Sequence, residues 1–378
     1  MAAVNWDIFC SVVDNYGDIG VTWRLARQLV AEHQLPVRLW VDDLAAFAQV
    51  CPSADAAQTQ QWQQGVEVRY WPAEWPPGEA AAVVIEAFAC KLPDAYRVAM
   101  KARLKPSLWL NLEYLSAESW VDGCHGLPSP QLGGQKKFFF FPGFTPGTGG
   151  LLREEGLIER RRAFQQHATA RTDFLSRFGI SVAPSARLFS VFAYENPAVG
   201  SWLQALADDS VPTHLLVPEG RILPDVNAWL GDEELSPGSI RQQGSLTVQA
   251  LPFVSQEDYD RLLWSCDFNL VRGEDSFVRA QWSGKPMLWH IYVQAEDAHL
   301  EKLDAFLQRY CQSLSAGARR AVNEFWHAWN EVHDLGPAWR NMLEHWPELA
   351  DHAERWCDEK AAQADLAAAL VQVYGNWI

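Results

Sequence analysis

Apolar segments of strand length alternate with amphipathic helical segments along this chain, and the alternation occurs twice. The first half contains apolar segments such as NWDIFCSVV, PVRLWVDD, VEVRYW and AAVVIEAF, with a helical pattern from about Val21. A polar helical segment, EEGLIERRRAFQQHATARTDFLSRFG, then precedes a second series that starts with ARLFSVFAYEN and ends with PMLWHIY. Strands separated by helices favour parallel sheets with βαβ connections. The pattern therefore predicts an α/β fold with two such units.

The length supports this division, since 378 residues exceed what one ordinary core holds and two domains are the natural expectation. We assign residues 1–177 to a first Rossmann-like domain and residues 178–360 to a second. The final helical segment, 361–378, is expected to pack back on the first domain. Ligands of doubly wound folds bind at the carboxyl ends of the strands, so we expect a site in a cleft between two facing domains.

The composition excludes several classes of function. The chain carries 31 basic and 47 acidic side chains, a net charge of -16, which argues against a surface that binds nucleic acid or an anionic membrane. No apolar run approaches the ~20 residues that span a bilayer, and the N-terminus lacks the pattern of a signal peptide, so we expect a cytoplasmic location. The seven cysteines form no C-x-x-C pair and the ten histidines no H-E-x-x-H motif, so no metal site is predicted.

The stretch VVDNYGDIGVTWRLARQL places two acids and two glycines between the first predicted strand and the first predicted helix. Gly17 and Gly20 permit a tight turn and the close approach of a ligand to backbone N–H groups at a helix N-terminus. Asp14 and Asp18 would repel a pyrophosphate there, so the loop suits a cation better than a phosphate. A purely structural interpretation stays open, in which Asp18 caps the helix and Asp14 closes the turn.

A dinucleotide-binding enzyme such as a dehydrogenase is an alternative for this first domain. Asp42 and Asp43 follow the second predicted strand, about where a ribose-binding acid is expected. The fingerprint G-x-G-x-x-G is absent, however, which speaks against this alternative.

A second polar motif, VRGEDSFVRAQWSGKP at 271–286, lies at the end of an apolar segment and the start of a helix. Ser276 and the N–H groups that follow it are suited to phosphate oxygens, Arg272 supplies positive charge, and Asp275 is available to a hydroxyl group. Glu274 is too close to these residues to be incidental. An acidic N-cap box explains the same residues equally well.

Aromatic residues at the ends of predicted strands are candidates for a base-stacking pocket. They are Phe192 and Tyr194 in SVFAYEN and Phe253 in ALPFVSQEDY. Stacking on an aromatic face contributes about 1–3 kcal/mol per base, so one or two such rings suffice to anchor a nucleotide. Packing in the core is the alternative, most of all for Phe192.

Four long motifs are spread over nearly the whole chain: DNYGDIGVTWRLARQL, NLEYLSAESW, FFFPGFTPGTGGLLRE and RGEDSFVRAQWSGKPMLWHIY. They resemble those of the EarP family, bacterial protein-arginine rhamnosyltransferases that modify elongation factor P. The resemblance implies a GT-B fold, in which two Rossmann-like domains face each other across a cleft. It also implies inverting, metal-independent transfer of L-rhamnose from dTDP-β-L-rhamnose, without a cofactor, to one arginine of elongation factor P, which activates that factor for translation of polyproline stretches.

The same resemblance implies roles for individual residues. It makes Asp14 and Asp18 catalytic carboxylates, with Asp18 the best candidate for the base, and Glu274 a third essential acid. It implies that Phe253 stacks on thymine. The residues expected to bind the donor are Asn15, Gly17, Phe192, Tyr194, Phe253, Gln256, Arg272, Asp275, Ser276 and Tyr292.

Two alternatives to this function stay open at the level of sequence. One is a GT-B glycosyltransferase that acts on a small molecule or a glycan, which only acceptor specificity would distinguish. The other is a nucleotide-sugar-binding protein without catalytic activity.

Overall fold

The computed structural model describes residues 5–13, 16–72, 74–75, 78–131, 134–231 and 234–377, and the structural statements below concern this part of the chain. The chain divides into two compact units. Unit 1 comprises residues 1–155 and 360–378, and unit 2 comprises residues 156–359. No helix in the described part of the chain combines the length and the apolar character needed to cross a membrane.

Unit 1 contains an eight-stranded sheet with the order β3-β4-β2-β1-β5-β6-β8-β7. Its strands are β1 (Trp6–Cys10), β2 (Val37–Val41), β3 (Gln60–Gln63), β4 (Val66–Tyr70), β5 (Val83–Ala87), β6 (Leu108–Leu112), β7 (Pro128–Pro130) and β8 (Lys136–Phe140). Its helices are α1 (Gly17–His33), α2 (Leu44–Val50), α3 (Asp94–Ala102), α4 (Val121–Cys124) and, from the end of the chain, α15 (Leu366–Trp377). Only β3 and β7 run antiparallel to their neighbours, and both lie at edges of the sheet.

Both faces of this sheet are covered, as a parallel sheet requires. Successive residues of a strand point to opposite faces. Ile8 and Ile85 accordingly join one buried cluster, and their chain neighbours Phe9 and Val84 join another. This explains why the strands of unit 1 read as continuous apolar runs in the sequence.

The order of the strands in unit 1 reverses between β1 and β5. From β1 the chain proceeds to β2 and β4 on one side, and β5, β6 and β8 then extend the sheet on the other side. Such a switch point leaves a crevice at the carboxyl ends of its two strands, where doubly wound folds bind their ligands. Helix α1 is the next element after β1, so Gly17 and Asp18 of the DNYGDIG motif lie at this switch point.

Unit 2 contains a six-stranded sheet with the order β11-β12-β10-β9-β13-β14. Its strands are β9 (Arg187–Val191), β10 (Thr213–Pro218), β11 (Ile240–Gln243), β12 (Leu246–Leu251), β13 (Phe268–Arg272) and β14 (Met287–His290). All neighbours pair in parallel except β11 and β12. Here the order reverses between β9 and β13, so the carboxyl ends of these two strands form the switch point of unit 2.

The helices of unit 2 cover this sheet and form a helical region after it. They are α5 (Leu157–Gln166), α6 (Ala170–Ser176), α7 (Val199–Ala207), α8 (Leu223–Leu230), α9 (Gln256–Ser265), α10 (Asp275–Trp282), α11 (Ala298–Tyr310), α12 (Ala316–Asn330), α13 (Leu335–Glu344) and α14 (Trp346–Ala361). The last residues of α14 lead back to unit 1.

The boundary between the two compact units differs from the predicted domain boundary at 177. Helices α5 and α6 belong to unit 2, because Phe174 and Leu175 of α6 pack in one cluster with Leu188 and Leu262. The buried guanidinium of Arg161 in α5 also donates two hydrogen bonds, of 2.5 and 2.7 Å, to Glu354 in α14. The polar composition of this segment conceals these contacts in the sequence.

The C-terminal segment, assigned to 361–378 from the sequence, packs within unit 1. Leu366 and Leu370 of α15 are part of the same buried cluster as β1, and Tyr374 meets the ring of Trp6 edge-on at 5.7 Å. The backbone just before α15 packs closely against Gly150, whose φ is +72°. Any other residue at this position would place its Cβ only 2.2 Å from the carbonyl oxygen of Ala364. The glycine-rich loop PGFTPGTGG therefore allows the end of the chain to return.

Candidate active site

Asp18 is the described acid of the first motif, and it lies at the switch point of unit 1. It is the second residue of α1, it is only 3% exposed, and its Oδ2 atom accepts a hydrogen bond of 2.9 Å from the N–H of Val13. Helix α1 begins at Gly17, four residues before the predicted start at Val21, with Tyr16 as its N-cap. Asp18 is therefore not the N-cap of this helix, and its carboxylate faces the segment that precedes the helix.

Two residues assigned to this site from the sequence, Asp14 and Asn15, lie outside the described residues. Gly17, the third candidate of the same motif, is the first residue of α1. Its backbone is thus part of the helix N-terminus that the sequence predicts for this position.

The acids that follow β2 are both engaged within the protein. Asp42 accepts hydrogen bonds from the hydroxyl of Ser11, at 2.5 Å, and from the N–H of Val12, at 2.9 Å. Asp43 is the N-cap of α2 and accepts a hydrogen bond of 2.9 Å from the N–H of Ala46. Both oxygens of Asp42 hold the end of β1, so this residue has a structural role that needs no ribose.

Arg272 is the last residue of β13 and therefore lies at the switch point of unit 2. It is 6% exposed, and its Cζ atom lies 4.7 Å from the ring centroids of both Phe192 and Tyr194. Its Nη1 atom is buried and has no hydrogen-bond partner among the described residues. A buried cationic nitrogen without a partner is unfavourable, so this arrangement is typical of a site that completes itself with an anionic ligand.

Side-chain hydrogen bonds to the backbone fix the turn between β13 and α10. The Ser276 hydroxyl donates to the carbonyl of Arg272, and the N–H of Arg272 donates to the same hydroxyl at 3.1 Å. The indole N–H of Trp289 donates to the carbonyl of Gly273 at 2.8 Å. Ser276 thus holds the strand end against the helix start, and its N–H lies in the first turn of α10.

The acids of the second motif differ in their surroundings. Glu274 is the N-cap of α10, but its side chain makes no capping hydrogen bond, so it does not form the N-cap box that the sequence leaves open. Asp275 accepts a hydrogen bond of 3.3 Å from the side-chain amide of Gln256, the first residue of α9. The structure thus brings two of the predicted donor-binding residues, Gln256 and Asp275, into direct contact.

Three of the four candidate rings surround the end of β9. Phe192 follows this strand and is half-buried, and Tyr194 contacts the ring of Tyr292 at a centroid distance of 5.5 Å. Tyr292 is 48% exposed and follows β14. Phe253 is half-buried and follows β12, two strands away from β9 in the sheet. Phe192 is therefore not a residue of the core.

Three further residues at this edge have no counterpart among the candidates from the sequence. Arg221 follows β10, its Cζ atom lies 5.3 Å from the centroid of the Tyr194 ring, and it donates a hydrogen bond of 2.8 Å to Glu195. This bond lowers the pKa of Glu195. His290 at the end of β14 is buried, and burial together with the positive charge of Arg272 lowers its pKa to about 3. The segment THLLVPEGR, in which a cation follows an apolar run, carries a detectable signal for Arg221.

Within the described ranges, no group of three or more His, Cys, Asp and Glu side chains is arranged to hold a metal ion.

Comparison with known proteins assigns the chain to a family. The family model for the elongation factor P (EF-P) rhamnosyltransferase EarP matches residues 6–375. The chain belongs to the EarP family. A protein-arginine rhamnosyltransferase of Pseudomonas putida is 65% identical over 371 residues, which are 98% of each chain. The protein-arginine rhamnosyltransferase of Pseudomonas aeruginosa is 57% identical and is matched over 99% of this chain and 100% of its own.

Solved structures agree with this assignment and confirm the predicted fold class. The chain is similar to a structure described as the basis for EarP-mediated arginine glycosylation of translation elongation factor EF-P, with a TM-score of 0.73, 49% identity and coverage of 99% of this chain and 100% of the other. It also resembles Acinetobacter baumannii MurG, with a TM-score of 0.52, 11% identity and coverage of 100% of both chains. Since the second identity is low, that likeness concerns the fold alone. The EarP-family chain thus has the GT-B fold class, with one parallel-rich α/β sheet in each unit.

Proposed function

We propose that this EarP-family chain transfers L-rhamnose from dTDP-β-L-rhamnose to an arginine side chain of elongation factor P, with inversion at the anomeric carbon and without a metal ion or cofactor. The observation that carries the proposal is the buried guanidinium of Arg272 at the switch point of unit 2. Its Nη1 atom, which has no hydrogen-bond partner in the described ranges, and the adjacent N-terminus of α10 suit the diphosphate of a nucleotide sugar.

The surroundings of Arg272 support a nucleotide as the ligand. Phe192 and Tyr194 flank the guanidinium and Tyr292 extends the aromatic edge, so rings for the base and a cation for the phosphates lie together. In this proposal Phe253 stacks on thymine, while Gln256, Asp275 and Ser276 line the ribose and the diphosphate.

The acceptor guanidinium explains why acids follow β1. A guanidinium has a pKa above about 12 and its nitrogens are weak nucleophiles, so prior removal of a proton by a simple base is ineffective. Two carboxylates can hold it in fork geometry and concentrate its positive charge on some nitrogens, which leaves another nitrogen able to attack. We assign this clamp to Asp18 and Asp14, and the proton of the attacking nitrogen to Asp18.

The proposed step is a direct displacement. The bond from the anomeric carbon to the phosphate oxygen breaks, a bond from the guanidinium nitrogen to that carbon forms, and dTDP departs with the electron pair. Arg272 and the N–H groups at the start of α10 stabilise the negative charge that develops on the leaving group. Glu274 is the third essential acid in this proposal, and its half-buried position at the N-cap of α10 supports a contact with the sugar.

Intact-mass spectrometry tests this function directly. Elongation factor P from the same organism is incubated with the chain and dTDP-β-L-rhamnose, beside a factor in which the acceptor arginine is lysine. We expect one deoxyhexose increment that the lysine variant lacks. Activity that persists after treatment with EDTA tests metal independence, and the anomeric configuration of the product, determined by NMR, tests inversion.

The same experiment separates the alternatives. Donor binding without any increment on the factor would favour a transferase with a small-molecule or glycan acceptor, or a protein that only binds the nucleotide sugar. Hydrolysis of the donor in the absence of the factor would distinguish the first of these from the second.

A further inference from the structure

The motif NLEYLSAESW places an aromatic pair at the switch point of unit 1 that the roles assigned above do not use. The ring of Tyr114, two residues after β6, stacks on the ring of Phe88 with a centroid distance of 4.6 Å and an interplanar angle of 21°. Phe88 is buried and comes directly after β5, the strand that forms the switch point with β1. Tyr114 is 37% exposed, so the pair presents an aromatic surface at this edge of the sheet.

The backbone below this pair is held in an unusual conformation. Phe88 and Ala89 have φ angles of +56° and +57°, which non-glycine residues rarely adopt. The N–H of Phe88 donates a hydrogen bond of 2.7 Å to the carbonyl of Leu112, the last residue of β6. Strain of this kind persists only where the surrounding structure imposes it, and it occurs preferentially at functional sites.

The aromatic pair adjoins the helix that carries Asp18. Phe88 packs in one small cluster with Val21, which lies three positions after Asp18 in α1. Residues three apart lie on the same face of a helix. Tyr114 is thus connected, through Phe88 and Val21, to the first turns of the helix that carries Asp18.

We propose that Tyr114, supported by Phe88, is the stacking surface for the guanidinium of the acceptor arginine. A guanidinium is planar and weakly hydrated, and it binds best with its face on an aromatic ring and its edge towards carboxylates. Unit 1 carries both kinds of group after strands near its switch point, a ring two residues after β6 and a carboxylate at the start of α1. The inference rests on the proposed function and adds to it a positioning residue that selects arginine.

A double-mutant cycle tests this contact by binding alone, without donor. The dissociation constant of the full chain is measured for elongation factor P and for a factor whose acceptor arginine is methionine, each with the wild-type chain and with Tyr114→Leu. We expect Tyr114→Leu to weaken binding of the unmodified factor roughly tenfold, as expected for a desolvated cation–π contact, and to change binding of the methionine variant less than about twofold. Equal effects on both factors would overturn the proposal.

Matched variants separate stacking from structural damage. Tyr70 is 40% exposed and ends β4 in the same unit, so Tyr70→Leu removes a comparable ring and should leave the cycle additive. At position 114, phenylalanine should retain affinity, whereas phenylalanine with two and then four ring fluorines should lower it stepwise, because fluorine weakens the ring's attraction for a cation and keeps its shape. If fluorination of the ring at position 114 does not change the affinity for elongation factor P, the proposal is contradicted, even if Tyr114→Leu fails to fold.

Measurements of dTDP binding and of rhamnose transfer distinguish failure of this inference from failure of the proposed function. Tyr114→Leu should leave the dissociation constant for dTDP unchanged and should raise KM for the factor. A wild-type chain that transfers rhamnose while the cycle is additive would overturn only the role of Tyr114. A wild-type chain that transfers nothing to the factor would overturn the proposed function, and with it the arginine as the occupant of this surface.

Discussion

The guanidinium carbon of Arg272 lies 4.7 Å from the centroid of the Tyr194 ring, at the end of a strand where the order of its sheet reverses. The two residues are 78 positions apart in sequence, and the parallel pairing of β9 and β13 brings them together. Because aromatic rings attract a cation without satisfying its N–H groups, the contact keeps the guanidinium in place and its hydrogen-bonding capacity available to a ligand. Stability and function therefore make opposite demands on Arg272.

Arg272→Met should weaken nucleotide binding without weakening the fold. We expect the dissociation constant for dTDP to rise roughly 10- to 100-fold, as for a lost charged hydrogen bond. The free energy of unfolding without ligand should hold or rise by up to about 1 kcal/mol, because a buried charge is replaced by an apolar chain of similar length. Calorimetric titration and thermal unfolding measure the two quantities.

Arg279→Met is the matched control for this substitution. Arg279 is also buried in the same unit, but it donates hydrogen bonds of 2.8 and 2.6 Å to the two oxygens of Asp260. Its loss leaves a buried carboxylate without its partner, so we expect the free energy of unfolding to fall by about 3–5 kcal/mol. Comparable destabilisation by Arg272→Met would contradict the assignment of Arg272 to a ligand.

Asp18→Asn should abolish most turnover and leave donor binding nearly unchanged. Asparagine can still accept the hydrogen bond from the N–H of Val13, so the start of α1 should stay in place. Without a base and a carboxylate partner for the guanidinium, kcat should fall at least about 100-fold. The dissociation constant for dTDP-β-L-rhamnose should stay within a few-fold of the wild-type value. Single-turnover kinetics and titration measure the two quantities.

Asp43→Asn serves as the control for this second substitution. Asp43 caps α2 with its carboxylate, and asparagine caps a helix equally well, so neither turnover nor stability should change. If Asp18→Asn loses donor binding together with turnover, Asp18 is a donor ligand and its role as base is wrong.

The fold was largely predictable from the sequence because strand and helix periodicities are local signals. The ends of β1 and β13 could be located in the same way, which is why the sequence points to Asp18 and Arg272. Contacts between side chains on strands that are distant in sequence could not be predicted, because they depend on the order of the strands in the sheet. Arg221 and His290 reach Tyr194 only through the sheet, and the stacking of Tyr114 on Phe88 depends on the pairing of β5 with β6.

Two further differences have a physical origin. The hydroxyl of Ser276 suggests a phosphate ligand from its type and position, but in the structure it bonds to the backbone of Arg272 within the same turn. The polar surface of α5 and α6 hides the few apolar residues that attach them to unit 2, so the predicted boundary at 177 lies beyond both helices. Short side-chain bonds to nearby backbone and sparse packing contacts leave little trace in composition or periodicity.

His290→Phe should reduce the sensitivity of unit 2 to acid. The pKa of His290 in the fold is about 3, below the value near 6.5 of an unfolded histidine, so the unfolded chain binds more protons between these values. The free energy of unfolding therefore falls as pH drops from about 6.5 towards 3, and at pH 5 His290 contributes about 2 kcal/mol of this loss. The groups whose charges act on it, Arg272, Glu195, Arg221 and His299, remain in the variant.

Urea unfolding at pH 7 and pH 5 measures this effect. The free energy of unfolding should fall by about 2 kcal/mol less between pH 7 and pH 5 in His290→Phe than in the wild-type chain. If His290→Phe and the wild-type chain lose the same free energy of unfolding between the two pH values, the fold does not lower the pKa of this histidine.

Ala89→Gly should stabilise the chain and impair its acceptor step. Glycine tolerates the φ of +57° at this exposed position, so the free energy of unfolding should rise by about 0.5–1 kcal/mol after allowance for the greater freedom of the unfolded chain. Val332→Gly is the control, because it relieves the same type of strain, at φ +59°, in unit 2. It should give a similar gain in the free energy of unfolding with unchanged kinetics. We expect only Ala89→Gly to raise KM for elongation factor P, because Phe88 then supports Tyr114 less rigidly. Equal kinetics in both variants would mean that this strain has no part in positioning the acceptor.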